Sequence, residues 1–223
     1  MCIIIYKETN EIIPEKTLKT AWEANPHGAG FSYYAHKRGW ISQKGYMTFE
    51  HFYRDYLPHA KKELVIHFRI ATHGVINPEN CHPFTDTESS NSVLYHNGIL
   101  SNFGSTSLSD TSDFYHSCLK HLTDFNAKIN LLESLADLGN KFALLEPNGD
   151  IQLIGDFKSY KNLFVSNLSL VAFDHTSWMT SESDKLDEYG DPTDAYYDQA
   201  YWEADDKTTQ AKIKRILKDT GEI

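Results

Sequence analysis

The chain lacks most features of secreted, membrane-spanning and disulfide-bonded proteins. Its 223 residues include only three cysteines, Cys2, Cys81 and Cys118, and none of them belongs to a CxxC pair. Unpaired thiols are typical of proteins in a reducing compartment, and the spacing of these cysteines predicts no disulfide framework. No apolar run is long enough to cross a bilayer, and the first apolar stretch, residues 3–5, is too short for a signal peptide. These absences predict a cytoplasmic protein that does not bind membranes.

The chain also has fewer basic than acidic residues, and its histidines do not have the spacing of common metal-binding motifs. The chain has 21 Lys and Arg against 31 Asp and Glu, a formal net charge of -10. Nucleic-acid-binding proteins concentrate Lys and Arg, so no nucleic-acid partner is expected. The histidines have neither HxxH nor HExxH spacing, and the sequence contains no Walker-type glycine loop. We therefore expect no bound metal and no cofactor.

The negative charge is concentrated near the C-terminus. Residues 182–206 hold ten acidic residues against Lys185 alone, whereas residues 207–223 hold five basic residues against two acidic ones. Aromatic residues lie among the acids, and Thr208–Lys218 has helical apolar spacing. The composition predicts a domain over residues 2–180, followed by an acidic, aromatic-containing extension over 181–223 with a terminal helix. This extension is either a solvated tail or an element that docks a partner.

Apolar spacing predicts a mixed α+β domain, since a period of two indicates strands and a period near 3.6 indicates helices. The predicted strands are Ile3–Tyr6, Gly30–Ala35, Trp40–Gln43, Leu64–Arg69, Val93–His96, Phe142–Glu146, Ile151–Gly155 and Leu163–Ser166. The predicted helices are Glu15–Ala24, Phe49–Tyr56, Asp113–Leu122 and Leu131–Leu138, with Ser109 or Asp110 as the N-cap of the third. Residues 147–150 carry Asn-Gly and predict a hairpin turn. Without regular β-α-β alternation, the pattern favours an α+β layered fold over a doubly wound one.

Cys2, directly behind Met1, has the chemistry of an N-terminal nucleophile. A small second residue allows Met1 to be removed, which leaves a cysteine with a free α-amine. The thiol is a nucleophile, and the α-amine, with an unperturbed pKa of about 8, can act as its base. The alternative is an ordinary cysteine that precedes a buried strand. The first interpretation requires removal of Met1, so we expect the translated chain to be inactive until that cleavage.

Four further segments combine polar side chains with glycine, proline or a helix cap. They read H-F-R-I-A-T-H-G over residues 67–74, N-C-H-P-F over 80–84, Y-H-N-G-I-L over 95–100 and S-D-T over 109–111. Each has a structural alternative. Arg69 could pair with a structural carboxylate, Asn97-Gly98 could form a hairpin turn, and Asp110 could cap a helix. Their order and spacing together favour a shared site.

In this order the segments closely resemble the class II glutamine amidotransferases, whose glutaminase domains are N-terminal nucleophile hydrolases. The family pattern is an N-terminal Cys, then H-x-R-x-A-T-H-G, N-x-H-P and H-N-G, and finally an Asp that opens a helix. The resemblance covers roughly residues 2–170 of this sequence. It implies a four-layer α/β/β/α sandwich, in agreement with the strand-rich α+β pattern.

The resemblance implies catalytic roles for three residues. Cys2 attacks the γ-carboxamide of L-glutamine, and its α-amine takes and returns the proton. The side-chain amide of Asn97 and the backbone N–H of Gly98 stabilise the oxyanion of the tetrahedral intermediate. Water then hydrolyses a γ-glutamyl thioester on Cys2.

Substrate-binding roles follow from the same resemblance. Arg69 binds the α-carboxylate of glutamine with its planar guanidinium, a geometry that lysine cannot copy. Asp110 binds the α-ammonium group, with Asp113 as a second candidate. The remaining expected site residues are Thr72 and His73, which line the pocket, and His82 on the loop beside it.

The expected function is hydrolysis of the glutamine side-chain amide, which yields glutamate and ammonia. The sequence contains no recognisable sugar-isomerase, phosphoribosyltransferase or ATP-pyrophosphatase segment, so either a separate synthase partner accepts the ammonia or the protein hydrolyses glutamine freely. Two further alternatives remain open. One is an N-terminal nucleophile amidase that acts on another γ-glutamyl amide. The other is a catalytically silent binding module that uses the acidic extension to bind its partner.

Overall fold

The computed structural model describes residues 2–85 and 92–171. The predicted extension over 181–223 lies outside the described residues. Within them the chain forms two β-sheets and four α-helices, which confirms a mixed α+β fold. The strands are β1 (Ile3–Lys7), β2 (Ala29–Ala35), β3 (Gly39–Tyr46), β4 (Leu64–Phe68), β5 (Val93–Asn97), β6 (Lys141–Leu145), β7 (Ile151–Ile154), β8 (Lys158–Tyr160) and β9 (Leu163–Val165). The helices are α1 (Glu15–Ala24), α2 (Phe49–Tyr56), α3 (Asp110–Ser117) and α4 (Phe125–Ala136), with short 3-10 turns at Leu57–His59 and Leu119–His121.

Helices α1 and α2 have the predicted bounds, whereas α3 and α4 begin earlier than predicted. In α3 the hydroxyl of Ser109 accepts a hydrogen bond from the backbone N–H of Ser112, so the helix begins at Asp110. In α4 the carboxylate of Asp124 accepts from the backbone N–H of Ala127 at 2.7 Å, which makes Asp124 the N-cap. Ser109 was one of the two predicted N-caps of α3 and is confirmed, whereas Asp124 was not predicted. In both helices the cap sets a start ahead of the apolar residues in the predicted range, and both helices end earlier than predicted, α3 at Ser117 and α4 at Ala136.

The larger sheet has the strand order β3-β2-β4-β1-β9-β8, and the smaller one has the order β5-β6-β7. All strand pairs in both sheets are antiparallel. The predicted turn over residues 147–150 is confirmed, because β6 and β7 form a hairpin in which the N–H of Glu146 donates to the carbonyl of Asp150 at 2.8 Å. Strand β8 was missed by the sequence pattern, since its three largely exposed residues do not alternate between apolar and polar.

Period-two alternation along β1 divides its side chains between two apolar clusters. Ile3 and Ile5 pack with α1 and α2 on one face of the larger sheet. Ile4 packs with residues of β5 and β6, such as Tyr95 and Ala143, in a cluster between the two sheets. A third cluster lies on the other face of the smaller sheet, where Phe142 contacts residues of α3 and α4. The apolar side chains of the two sheets and four helices therefore form three clusters, and β1 contributes to two of them.

The strand register brings several polar residues to one end of the two sheets. Because Ile3 pairs with Phe68, the residue that precedes β1 lies beside the residues that follow β4. Ile5 pairs with Val165, so the residue that follows β9 lies beside Ile4.

None of the helices in residues 2–85 and 92–171 combines the length and apolarity needed to span a bilayer.

Candidate active site

Cys2 lies at the entrance to β1 and contacts the segment that leaves β4. Its thiol donates to the carbonyl of Ile70 at 3.3 Å and accepts from the backbone N–H of Ile70 at 3.4 Å. The carbonyl of Cys2 accepts from the Asn167 side chain at 2.7 Å. Burial raises the pKa of the Cys2 thiol above its ordinary value, and the hydrogen bond with Ile70 partly offsets this increase. The negative charge of Asp110 raises the pKa of this thiol, and the positive charge of Arg69 lowers it, so both groups interact electrostatically with Cys2.

Arg69 is a buried cation whose hydrogen-bond acceptors are neutral. Its side chain is 3% exposed, and its guanidinium donates to the carbonyls of His73 at 2.8 Å and Val75 at 3.1 Å. Within residues 2–85 and 92–171 it forms no ion pair with a carboxylate. Burial lowers the pKa of Arg69, because a buried charge without a counterion is poorly solvated. The alternative of a structural ion pair is therefore not realised in the described residues, and the guanidinium remains suited to an anionic ligand.

Asn97 is the last residue of β5 and Gly98 follows it, and the two do not form a hairpin turn, because β5 pairs with a strand that begins only at Lys141. The carboxamide of Asn97 is buried, and its Nδ2 donates to the hydroxyl of Ser166 at 2.9 Å. At Gly98 an added Cβ would lie 2.1 Å from Oδ1 of Asn140, so the close packing there requires glycine. Asn140 is itself fixed, since its Oδ1 accepts from His96 at 2.9 Å and its Nδ2 donates to the carbonyl of Leu135 at 3.0 Å.

Asp110 is the first residue of α3, and its buried carboxylate binds backbone groups. One oxygen accepts from the N–H of Leu100 at 2.8 Å and the other from the N–H of Thr111 at 2.7 Å. Asp113 accepts from the N–H of Gly104 at 2.9 Å and is more exposed. Neither carboxylate forms an ion pair within the described part of the chain. Within the described residues neither candidate for an ammonium contact is therefore already paired with a cation, and Asp110 is the one that raises the pKa of the Cys2 thiol.

The other predicted site residues have different environments. Thr72 and His73 are exposed on the loop after β4, and His73 contacts Arg69 through its backbone carbonyl. His82 is buried instead, with its ring 4.0 Å from that of His67 between centroids. Among the described residues neither ring nitrogen of His82 has a hydrogen-bond partner, and burial holds the pKa of His82 well below its usual value. The roles given to these three residues stay predictions.

Three asparagines and a serine that carried no predicted role also support the site. Asn80 donates to the carbonyls of Val75 at 3.0 Å and Ser107 at 2.8 Å, and its Oδ1 accepts from the N–H of Ser109 at 2.8 Å. It thereby joins the loop beside Arg69 to the segment before Asp110. The other three, Asn140, Ser166 and Asn167, contact partners far away in sequence. The sequence signal for Asn80 was its place in the N-x-H-P segment, whereas isolated Asn and Ser residues near strand ends give no comparable signal.

The site thus combines a thiol, a buried cation, a buried anion and amide donors at one end of the two sheets. No group of three or more His, Cys, Asp and Glu side chains within residues 2–85 and 92–171 is arranged to hold a metal ion. The arrangement suits a zwitterionic ligand that presents a carbonyl group to a thiol.

Comparison by sequence gives no match, either to a known protein family or to a curated protein. Comparison by structure gives matches, among them glutamine phosphoribosylpyrophosphate (PRPP) amidotransferase from B. subtilis complexed with ADP and GMP, with a TM-score of 0.52 over 74% of this chain. The chain and part of this enzyme have a similar fold. The two sequences are 16% identical, so the likeness shows the fold alone. The match spans 41% of the B. subtilis chain, well under half of its length.

Gly98→Ala should lower the free energy of unfolding by about 1–3 kcal/mol, because the new methyl group overlaps Asn140. Urea denaturation of the full chain measures this loss. In an Asn140→Ala background the same glycine substitution should cost less, since the overlapping carboxamide is gone. An equal cost in both backgrounds would contradict the assigned contact.

The buried histidines should make the fold sensitive to mild acid. Burial lowers the pKa of His67 to about 3, whereas an unfolded histidine titrates near 6.5. Between these values the unfolded chain binds more protons than the folded one. The free energy of unfolding therefore falls as the pH falls, by up to about 1.4 kcal/mol per pH unit for each such histidine.

Urea denaturation between about pH 5 and 6.5, where most carboxyl groups stay ionised, measures this slope. His67→Gln keeps a side-chain amide that can donate to the carbonyl of His96 but does not titrate, so the slope should decrease. His51→Gln, at an exposed position of α2, is the matched control and should leave the slope unchanged. A slope that is the same in His67→Gln and wild type would refute this assignment.

Proposed function

We propose that this domain hydrolyses the side-chain amide of L-glutamine, with Cys2 as the nucleophile after removal of Met1. The observation that carries the proposal is the contact of the Cys2 thiol with Ile70, at 3.3 and 3.4 Å, directly after the buried cation Arg69, with the buried anion Asp110 near enough to raise the thiol pKa. These two buried charges have opposite signs, and neither forms an ion pair within the described residues. They match the α-carboxylate and the α-ammonium group of a free amino acid, which leaves the side-chain amide to meet the thiol.

The fold supports this proposal at the level of architecture. One apolar cluster joins α1 and α2 to the larger sheet, a second joins residues of the two sheets, and a third joins the smaller sheet to α3 and α4. These contacts support a four-layer α/β/β/α arrangement. We therefore infer the sandwich of an N-terminal nucleophile hydrolase, with the glutaminase domain extending over residues 2–180. The amidotransferase-like fold agrees with this inference.

The proposed reaction begins with a proton transfer from the Cys2 thiol to its own α-amine. The sulfur then bonds to the side-chain carbonyl carbon of glutamine, and the carbonyl electron pair moves onto the oxygen. Asn97 Nδ2 and the Gly98 N–H donate to this oxyanion. As the oxyanion collapses, the carbon–nitrogen bond breaks, and the nitrogen takes the proton from the α-ammonium of Cys2 and leaves as ammonia. Water then attacks the thioester, which releases glutamate and restores the thiol.

Ammonia is a small, diffusible product, and a separate synthase is the proposed acceptor. The structural neighbour joins a region of this fold to a longer chain, since the match spans 41% of its length. A cytoplasmic location fits the reduced cysteines.

Cys2→Ala should abolish glutamate release, with a loss of at least about 10³-fold in kcat/KM, because the nucleophile is removed. The assay uses the full chain, with removal of Met1 checked by intact mass, and quantifies glutamate and ammonia together. Cys118→Ala is the matched control, since Cys118 is buried in the cluster between the smaller sheet and its helices. That control should retain activity.

Labelling and substrate comparison sharpen the same test. An electrophilic glutamine analogue should add once to wild type and to Cys118→Ala, and not to Cys2→Ala or to a chain that retains Met1. Undiminished glutamate release by Cys2→Ala would overturn the proposal. Faster turnover of N-substituted γ-glutamyl amides than of glutamine would instead favour the alternative amidase.

Arg69→Lys should raise the KM for glutamine by about 10- to 100-fold, because an ammonium group cannot bind a carboxylate in the two-pronged geometry of a guanidinium. The effect on kcat should be smaller, since this contact lies away from the reacting carbonyl. Arg54→Lys serves as the control, because Arg54 is an exposed residue paired with Asp55. The amide of the glutamine α-carboxyl group should be a poor substrate for wild type, and Arg69→Lys should discriminate less against it. An unchanged KM would argue against the carboxylate contact.

A further inference from the structure

We infer that Ser166 is the positioning residue that orients the Asn97 carboxamide toward the oxyanion, an inference that rests on the proposed function. Ser166 follows β9 and is fully buried. Its Oγ accepts from Asn97 Nδ2 at 2.9 Å and from the backbone N–H of Ile4 at 2.9 Å. One side chain therefore connects a residue of the smaller sheet to the strand that carries the nucleophile.

The backbone of Ser166 is also fixed to β1. Its N–H donates to the carbonyl of Ile4 at 3.0 Å, so Ser166 and Ile4 are joined by two hydrogen bonds. Ile4 lies two residues after Cys2 along the chain, in the strand that Cys2 precedes. The position of the Ser166 hydroxyl relative to Cys2 is therefore set by sheet pairing, which is stiffer than a loop contact.

Asn97 depends on this hydroxyl for its orientation. Among residues 2–85 and 92–171, Ser166 is the hydrogen-bond partner of the Asn97 side chain, whose Oδ1 has no partner. An amide nitrogen carries two N–H groups. One N–H is directed to Ser166, and the second remains for an oxyanion that forms on the substrate.

Loss of the Ser166 hydroxyl should therefore affect the transition state more than substrate binding. Removal of one oxyanion donor typically costs about 10²–10³ in kcat. A donor that is present but misoriented should cost less, about 10-fold in kcat with little change in KM, because the oxyanion forms only after glutamine binds.

The experiment measures kcat and KM for glutamine in the full chain without Met1, for wild type, Ser166→Ala, Ser166→Thr, Asn97→Ala and the Ser166→Ala/Asn97→Ala double variant. Ser166→Thr keeps the hydroxyl and should restore most of kcat. Ser32→Ala is the matched control, because Ser32 is an equally buried hydroxyl of the larger sheet that binds Ser42 and Tyr95 instead. It should leave kcat unchanged. If Ser166→Ala does not fold, Ser166→Cys, a weaker acceptor, carries the same test.

Coupling between the two residues separates positioning from a merely structural role. In the Asn97→Ala background Ser166→Ala should cause no further loss of kcat, since the group that it orients is already gone. An unchanged kcat in Ser166→Ala, or a loss that multiplies that of Asn97→Ala, would overturn the inference.

A spectroscopic measurement keeps this inference distinct from the proposed function. In ¹⁵N-labelled protein the side-chain amide signals of Asn97, assigned by their loss in Asn97→Ala, should shift in Ser166→Ala and recover in Ser166→Thr. If wild type does not hydrolyse glutamine, the proposed function fails. The Asn97 signals then decide this inference separately, since a shift supports Ser166 as the orienting group and unchanged signals refute it.

Discussion

The antiparallel pairing of β1 with β4 is the interaction on which the site depends. It sets Ile3 opposite Phe68, which brings Cys2 against Ile70 and within electrostatic reach of Arg69. Both strands are buried on both faces, so a shift of register by one residue would move apolar side chains into the wrong layer. The apolar residues that stabilise the larger sheet therefore also fix the distance between the thiol and the guanidinium.

Burial of two charged side chains at the site carries a desolvation free energy that packing elsewhere in the fold must offset. Arg69 and Asp110 are both removed from water, yet each is bonded to neutral backbone groups rather than to an opposite charge. Such groups are expensive to bury, and proteins retain them mainly where function requires them. A zwitterionic ligand would supply both counterions at once. Under the proposed function, this charge arrangement would be stabilised electrostatically by ligand binding rather than by folding.

Much of this architecture could be predicted from local sequence signals. The bounds of α1 and α2 and the β6–β7 hairpin followed from apolar period and Asn-Gly. The linked positions of Cys2 and Arg69 required a resemblance, since nothing local relates two residues so far apart in sequence. The supports Asn140 and Ser166 could not be predicted, because single polar residues acquire a role only through packing against distant elements. Helices α3 and α4 began early because capping side chains, rather than apolar spacing, fix a helix start.

The three hydrogen bonds of the Asn80 side chain have a mechanical consequence. They join the loop after β4 to the residues that lead into α3, and Gly74 packs so closely there that an added Cβ would lie 2.6 Å from Leu108. Neither loop can swing outward alone without breaking these bonds in a buried setting. The two loops are therefore mechanically coupled through the side chain of Asn80. Under the proposed function, Arg69 and Asp110 would be carried by segments that are tied to each other in this way.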